Sequence, residues 1–400
     1  MFYGSTMVRI PDDFFGLHIN KVATSQPIDF QTPWCELGQA WHRIWDNYTT
    51  WKLINTANGV YNWSRLDDVV NIVESHGKKM VMGIGSAPDW ATGASTGGSQ
   101  YSPYVPSDAA WITWVTAVAT RFQGRIHAYE LWNEPSAGTF WNGTPEQLVH
   151  LCSLAYPIIK SIDPDAIVVS PCCPGILSVP WFANLIKAGM ANYCDVVAFH
   201  AYCGSNPPEY LAHLAECYLG VLAVAGVTKP LWDSESGWVD YVNQAGTLVA
   251  THTASDAMTD QQGSAYVSRQ LLLTASYGLA KSFHYTADGQ AAGTYLMKPT
   301  LLDYATRSIK QPAAYAFSYL AGLLPGGRIG KVQYNGSYYA MKGQTGLGES
   351  FAALWCRDWK ITSVSAAAFH AKRATDCRGN VVSIAGDTVA LSMEPVFLFS

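Results

Sequence analysis

Along the first three quarters of the chain, short apolar runs alternate with amphipathic stretches. Eight of the runs have the length and β-rich make-up of strands: residues 14–20 (FFGLHIN), 40–46 (AWHRIWD), 79–85 (KMVMGIG), 125–133 (RIHAYELWN), 166–170 (AIVVS), 195–202 (DVVAFHAY), 230–235 (PLWDSE) and 279–285 (LAKSFHY). Helical patterns fall between them. Residues 66–76 place Leu66, Val69, Val70 and Val73 on one face and stop at Gly77, a residue suited to a helix C-terminus. Ser107 offers an N-cap for 108–122. Thr144-Pro145-Glu146-Gln147 reads as a capping box with proline at the first helical position, opening a helix towards 162. Further helices fit 208–225, 261–277 and 311–324.

Strands that alternate singly with helices require parallel βα units. A doubly wound open sheet would announce itself with a glycine-rich phosphate turn after its first strand. Here FFGLHIN is followed by KVATSQPID, with no such turn. The expected fold class is therefore α/β, a (β/α)8 TIM barrel over residues 1–325. After Leu324 the pattern changes. Pro325-Gly326-Gly327 breaks the helix, and short alternating runs follow between turn signals such as Asn335-Gly336 and Ala385-Gly386-Asp387. Residues 326–400 are expected to form a small all-β, sandwich-like domain packed on the barrel.

Composition then narrows the function classes. With 49% hydrophobic and 14% charged residues, a disordered chain is excluded. Lys and Arg number 25 against 30 for Asp and Glu, a net charge of −5. No cationic surplus exists to neutralise phosphates, so a nucleic-acid partner is not expected. No stretch of about 18 apolar residues occurs, so no membrane span is expected. The first residues show no charged segment followed by an apolar one, so no signal peptide is read in this chain. The nine cysteines include no CxxC pair, which leaves zinc-ribbon and thioredoxin chemistry unsupported. Their odd count leaves at least one thiol outside any intrachain disulfide, and the pairing of the others open. Nothing matches a nucleotide or flavin fingerprint, so no cofactor is expected. Aromatic residues reach 13%, with 15 Trp and 22 Tyr; most would fill a core, but flat rings also suit carbohydrate faces.

In such a barrel the chemistry sits at the C-terminal ends of the strands. Glu134 stands at the tip of the fourth (YELWNEPS) and Glu235 at the tip of the seventh (PLWDSESGW). Strands four and seven are not neighbours in the ring, so the two carboxylates would face each other across the mouth. Hydrolysis of an acetal needs such a pair. One acid protonates the departing oxygen, and the other carboxylate attacks the anomeric carbon or aims a water at it. Either glutamate alone would be an ordinary loop acid. Proline after the first and Ser-Gly-Trp after the second make the pair specific.

Trp132-Asn133-Glu134-Pro135 resembles the strand-four acid/base motif of clan A, the retaining glycoside hydrolases with (β/α)8 barrels, whose nucleophile glutamate ends strand seven. FFGLHIN, WHRIWDNYTTWKLIN, LDDVV, the APDW turn at 87–90 and FHAY are similar to family 39, which holds β-xylosidases and exopolysaccharide-degrading endoglycosidases. The resemblance spans roughly residues 10–325, and it also implies an appended β-sandwich. It implies Glu134 as general acid/base and Glu235 as nucleophile. It implies that Asn133 bonds the sugar hydroxyl beside the anomeric centre, and that Tyr202, with His200 in a His-x-Tyr pair, holds the nucleophile in line. Arg43 matches the clan's basic residue beneath the nucleophile. A buried Arg there needs acidic partners, and Glu235 or Glu130 could serve. Period two would put Glu130, Trp132 and Glu134 on one face. His18, ending strand one, could touch a sugar hydroxyl or simply pack.

One position departs from the clan, which commonly has a Trp at the end of strand eight flooring the sugar site. Here that strand ends His284-Tyr285. Trp90 or Trp238 would then supply the floor, with His284 as a binding contact. Trp34, Trp90, Trp141, Trp181 and Trp238 lie in loops or near strand ends and are candidates for stacking on sugar rings. Trp111 and Trp114, three apart on a helix, read as core. Several subsites favour endo action on a polysaccharide or oligosaccharide, such as a bacterial exopolysaccharide or a plant cell-wall glycan. An exo-acting β-xylosidase or arabinosidase is the alternative, and a non-catalytic carbohydrate-binding barrel a more remote one. A metal-dependent hydrolase would need converging His and acid ligands. His18, His200 and His284 do end strands, but no HxH pair occurs on one strand, and no metal site is expected. The substrate class suggests an extracellular or periplasmic protein.

Overall fold

The computed structural model describes residues 6–25, 31–45, 47–204, 206–242, 248–250, 258–288, 291–292, 295–303, 306, 308–309, 312–357 and 361–400. Asp46, at the end of the expected second strand, and Gln311, at the start of the expected last helix, lie outside them. Eight parallel strands form the barrel: β1 (Phe15–Leu17), β2 (Trp41–Ile44), β3 (Lys79–Gly83), β4 (Ala128–Glu130), β5 (Ile167–Val169), β6 (Val197–His200), β7 (Leu231–Ser236) and β8 (Lys281–His284). They pair in the order β5-β4-β3-β2-β1-β8-β7-β6. A parallel bridge between Val169 and Val196 joins the two ends of that row and closes the ring. The surrounding helices are α1 (Ser64–Ser75), α2 (Asp108–Arg121), α3 (Pro145–Ile162), α4 (Val179–Lys187), α5 (Tyr210–Val224), α6 (Asp260–Ser276) and α7 (Ala313–Leu323).

Local chemistry sets several of these boundaries. At α3 the Thr144 hydroxyl accepts from Gln147 N at 3.2 Å, while Gln147 Oε1 accepts from Thr144 N at 2.9 Å. Two of the helix's orphan donors are thereby satisfied, which stabilises its start by about 1 kcal/mol. The sequence reading missed α4 and the four-residue helices Trp51–Ile54 and Asp89–Thr92. A single turn is too short to display a period.

Alternation along the strands divides the core in two. Trp41, Val81, Ala128, Val169, Ala198, Trp232 and Phe283 fill the barrel interior. Their neighbours Phe15, Leu17, Met80, Met82, Tyr129, Val168 and Phe199 face the helices. Gly16 lies on the inner face, where an added Cβ would come 2.2 Å from the Phe283 ring. Only glycine admits that approach.

Beyond Leu324 the chain is largely β. Tyr339–Gln344, Ser350–Trp355 and Val396–Phe399 run antiparallel at the centre of a seven-stranded sheet. Thr362–Ser365 pairs with Thr388–Leu391 in a second, two-stranded sheet. Between the two sheets lie Ala340, Ala352, Leu354, Val364, Val389, Leu391 and Leu398. Phe351, Trp355, Phe397 and Phe399 join the main core with the barrel helices. Polar ties reinforce the contact: Trp355 Nε1 donates to Glu209 at 2.7 Å and Gln261 Nε2 to Glu394 at 3.0 Å. The large sheet also recruits Val8–Arg9 from the other end of the chain, antiparallel to Arg328–Ile329.

A further sheet was not legible in the sequence. Trp238–Val242 and Leu248–Ala250, following β7, pair antiparallel with each other, and Trp238–Val242 also pairs with Tyr295–Lys298, following β8. With Ala291–Ala292 they make four strands at the C-terminal face of the barrel. All nine cysteines are free, which answers the pairing question left open above. Among the described residues no helix is long and apolar enough to cross a membrane.

Candidate active site

Both expected carboxylates reach the mouth through breaks in strand regularity. On β7, Trp232 points into the barrel. Strict alternation would send Ser234 inward and Glu235 outward. The pairing shifts there on both sides: Phe199 pairs with Asp233 but His200 with Glu235, and Ser282 pairs with Asp233 but His284 with Ser236. Ser234 is thus the extra residue of a bulge, and Glu235 turns inward. On β4 the ladder ends at Glu130. Trp132 then leaves the inner face, packs against Trp111 and Trp141, and donates through Nε1 to Phe140 O at 2.8 Å. This corrects the expectation that Glu130, Trp132 and Glu134 share a face. Asn133 takes the inner position instead. Glu134 adopts a φ of 41°, a left-handed conformation uncommon outside glycine and characteristic of functional positions.

Arg43 organises the floor. It is fully buried, with Nε 3.0 Å from Glu130 Oε2 and Nη1 2.5 Å from Glu235 Oε1. Its Nη2 donates to Glu130 Oε1 and, at 3.0 Å, to Asn133 Oδ1. The Tyr202 hydroxyl donates to the other oxygen of Glu235 at 2.7 Å. His200 Nδ1 lies 2.7 Å from Glu134 Oε1 and 3.3 Å from Glu235 Oε2, bridging the pair. An oxygen of Glu134 lies within 4.8 Å of an oxygen of Glu235. The Glu134 side chain retains 18% exposure against 6% for Glu235, so Glu134 is the more open to an incoming ligand.

Burial and charge compete at each group. Burial disfavours the Arg43 cation, but Glu130 and Glu235 outweigh it and hold the guanidinium charged. Burial alone would depress His200; Glu235 and Glu134 outweigh it and raise the ring above its ordinary 6.5. Burial, helped by Glu235 and Glu134, pushes the Tyr202 phenol up, so it remains a donor. Asp233, behind the bulge, accepts from Ala201 N at 3.2 Å and Ser282 Oγ at 3.0 Å, and burial raises it from 3.8 to about 6. A carboxyl raised on folding binds more protons in the native state, so its contribution to stability is complete below pH 3.8 and is lost as pH rises through about 6. Asp233→Asn is therefore expected to flatten the pH dependence of unfolding free energy in that window. An unchanged slope in urea melts across it would refute the assignment.

The site also contains a residue the sequence reading missed. The Cys172 thiol lies 3.2 Å from Glu130 Oε1 and its backbone N donates to Trp132 O at 3.2 Å. Its position just past the fifth strand was the available signal. Glu130, Cys172 and His200, and separately Glu134, His200 and Glu235, present donor atoms within 4.8 Å of one another, a spacing that could hold a cation. Arg43 already provides positive charge to Glu130 and Glu235.

The other expected contacts have protein partners of their own. His18 is buried at the end of β1, with Nε2 3.0 Å from Ser234 O and its ring against Tyr285. Tyr285 stands where the clan's Trp was missing, its hydroxyl accepting from Asn20 Nδ2 at 3.1 Å. His284 is not brought to the carboxylates. Phe283 faces the barrel interior, so alternation turns His284 outward to Pro299 O at 2.9 Å and the Phe317 ring of α7. Trp238 is nearly buried, with Nε1 donating to Asn206 O at 3.1 Å and its ring on Tyr266. Trp90 donates to Asn55 O at 2.9 Å. Trp34 stacks on His76, Trp141 packs on Trp132, and Trp181 lies against the core.

Comparison with known proteins agrees with the fold. The family cellulase (glycosyl hydrolase family 5) matches residues 39–212. No curated protein sequence matches. Among solved structures, a family 39 glycoside hydrolase from the gut symbiont Bacteroides cellulosilyticus WH2 superposes with a TM-score of 0.70 at 18% identity, covering 98% of this chain and 81% of that one. A GH30 endoxylanase from Clostridium papyrosolvens C71 gives 0.61 at 13% identity, covering 99% and 98%. A GH39 β-xylosidase from Caulobacter crescentus gives 0.59 at 15%, covering 91% and 89%. The fold is that of (β/α)8-barrel glycoside hydrolases, and the Asn-Glu-Pro motif and the family match over part of the chain make it similar to them. The solved structures that share this fold include members of families 39 and 30.

Proposed function

We propose that the protein is a retaining endo-glycosidase that cleaves a polysaccharide by double displacement, with Glu235 as nucleophile and Glu134 as acid/base. The observation that carries this reading is the opposed setting of the two carboxylates. Each oxygen of Glu235 has its own fixed donor, Arg43 Nη1 and Tyr202 OH. Those donors fix its aim. Glu134 stands across the mouth, within the short spacing that direct attack needs; retaining pairs sit about 5–5.5 Å apart and inverting pairs about 6.5–9.5 Å.

In the first step Glu134 gives its proton to the glycosidic oxygen as the bond to the anomeric carbon breaks. Glu235 forms an ester with that carbon. In the second step Glu134, now a carboxylate, takes a proton from water, whose oxygen displaces Glu235. Asn133, held by Arg43, is placed to bond a hydroxyl of the sugar bound there. Glu134→Ala is expected to slow hydrolysis of substrates with alkoxide leaving groups by about 10²–10⁴-fold. Aryl glycosides with good leaving groups should be largely spared in the first step and accumulate the ester, visible as a burst. Equal loss on both substrate types would refute the role.

The four-stranded sheet that rises directly after Glu235 favours a second reading, a pocket closed at one end and exo action as a β-xylosidase or arabinosidase. Product analysis separates the two: a ladder of oligosaccharides means endo cleavage, a single monosaccharide exo cleavage.

A further inference from the structure

The inner face of β2 carries Trp41 and Arg43, and the same alternation continues to Trp45, one layer above the arginine at the mouth. The neighbouring strand makes room for it. A Cβ on Gly83 would come 2.7 Å from the Trp45 ring. Two further rings arrive from the next two loops. Tyr101, after β3, stacks on Trp45 with centroids 6.0 Å apart and planes at 17°. Phe140, after β4, meets both edge-on, 6.0 Å from Trp45 and 5.3 Å from Tyr101. Trp45 is nearly buried, whereas Tyr101 and Phe140 are half-buried. The three rings form an aromatic group at the catalytic face.

The group is anchored to the machinery beside it. Glu134 O accepts from Ala137 N at 2.9 Å, and Ala137 O accepts from Phe140 N at 3.0 Å. Phe140 O is held by the Trp132 indole. On the other side, Ser102 N donates to Ser86 Oγ at 3.1 Å, and Gln100 O accepts from the same hydroxyl at 3.1 Å, so Tyr101 is pinned at both ends. Asn142 N donates to Pro103 O at 2.8 Å, stapling the two loops together. These rings have fixed positions before any ligand arrives, which lowers the ordering cost of binding.

We propose that Tyr101 and Phe140, on the base of Trp45, form a sugar-stacking subsite next to the one where the bond is cut. Its ligand is the apolar face of a pyranose or furanose one unit along the glycan. The idea rests on the glycosidase reading above and deepens it, because an added subsite is what an endo-acting cleft requires. The ring faces contribute through apolar contact, so each is expected to matter by about tenfold in binding.

Affinity electrophoresis in native gels tests this without relying on turnover. Glu235→Gln would be run in gels containing soluble xylan, mixed-linkage β-glucan, arabinan or galactan. At least one polymer should retard it. Adding Tyr101→Ala and Phe140→Ala should weaken that retardation by about tenfold for each ring. Tyr101→Leu and Phe140→Leu serve where alanine lowers the melting temperature, since they keep apolar bulk but lose the flat face. In the chain with native Glu235, the same changes should lower kcat/KM on the retarding polymer more than on its aryl monoglycoside. Retardation untouched by the ring changes, or by no polymer of the panel, overturns the subsite. Turnover surviving in Glu235→Gln would overturn the catalytic roles instead, and the gel would still report on the rings.

Discussion

Glu235→Ala is expected to lower turnover by roughly 10⁴-fold or more, because it removes the atom that bonds to the anomeric carbon. The shape of the residual activity is more telling than its size. Alanine leaves a gap beneath the sugar, bordered by the Arg43 Nη1 and Tyr202 hydroxyl that formerly held the carboxylate. A small anion fits such a gap and is drawn by the guanidinium. Azide should therefore restore part of the rate on an aryl glycoside with a good leaving group. The product should be a glycosyl azide of inverted configuration, since only one displacement has occurred. Proton NMR of the anomeric centre reads this directly. No azide adduct, or an adduct of retained configuration, would remove Glu235 from the role.

Loss of the arginine beneath should be almost as severe, for a different reason. Arg43→Met leaves Glu130 and Glu235 in the barrel without their cation, and Glu130 has no exposure. Stranding a buried ionic partner costs about 3–5 kcal/mol, read as a lower urea midpoint. Adding Glu130→Gln removes one of the stranded charges and should return a large part of that stability. Turnover should stay low in the double variant, because Glu235 and Asn133 remain unheld. Arg43→Lys should keep a charge but not the fork that reaches both carboxylates at once. Additive losses in the double variant would mean that Arg43 and Glu130 do not act as a pair.

The strands and long helices were readable because alternation and caps are local. Thr144 and Gln147 announce their helix within four residues, and the eight apolar runs show their order along the chain. Glu134 and Glu235 were readable as a pair because strand number places them across a ring. What escaped depends on pairing between distant segments. The bulge at Ser234 exists only against β6 and β8, so sequence alternation alone would have turned Glu235 outward. Trp132 was misplaced because the ladder stops at Glu130, which the apolar run of YELW conceals. His284 could have been recognised as outward from the inward Phe283. The missing strand-eight Trp drew attention to it instead. The sheet after β7 needs partners from the loop after β8, and neither half is persuasive alone.

The pairing of Val8 with Ile329 has a consequence for how the molecule is made. The ribosome releases the first of these strands long before the second. At about 5–20 residues per second the early strand waits for something like half a minute. The barrel imposes the same delay, since Phe15 completes its ladder only with Ser282. Both closures join segments that lie far apart along the chain, so neither layer can be finished before its later strand has been made.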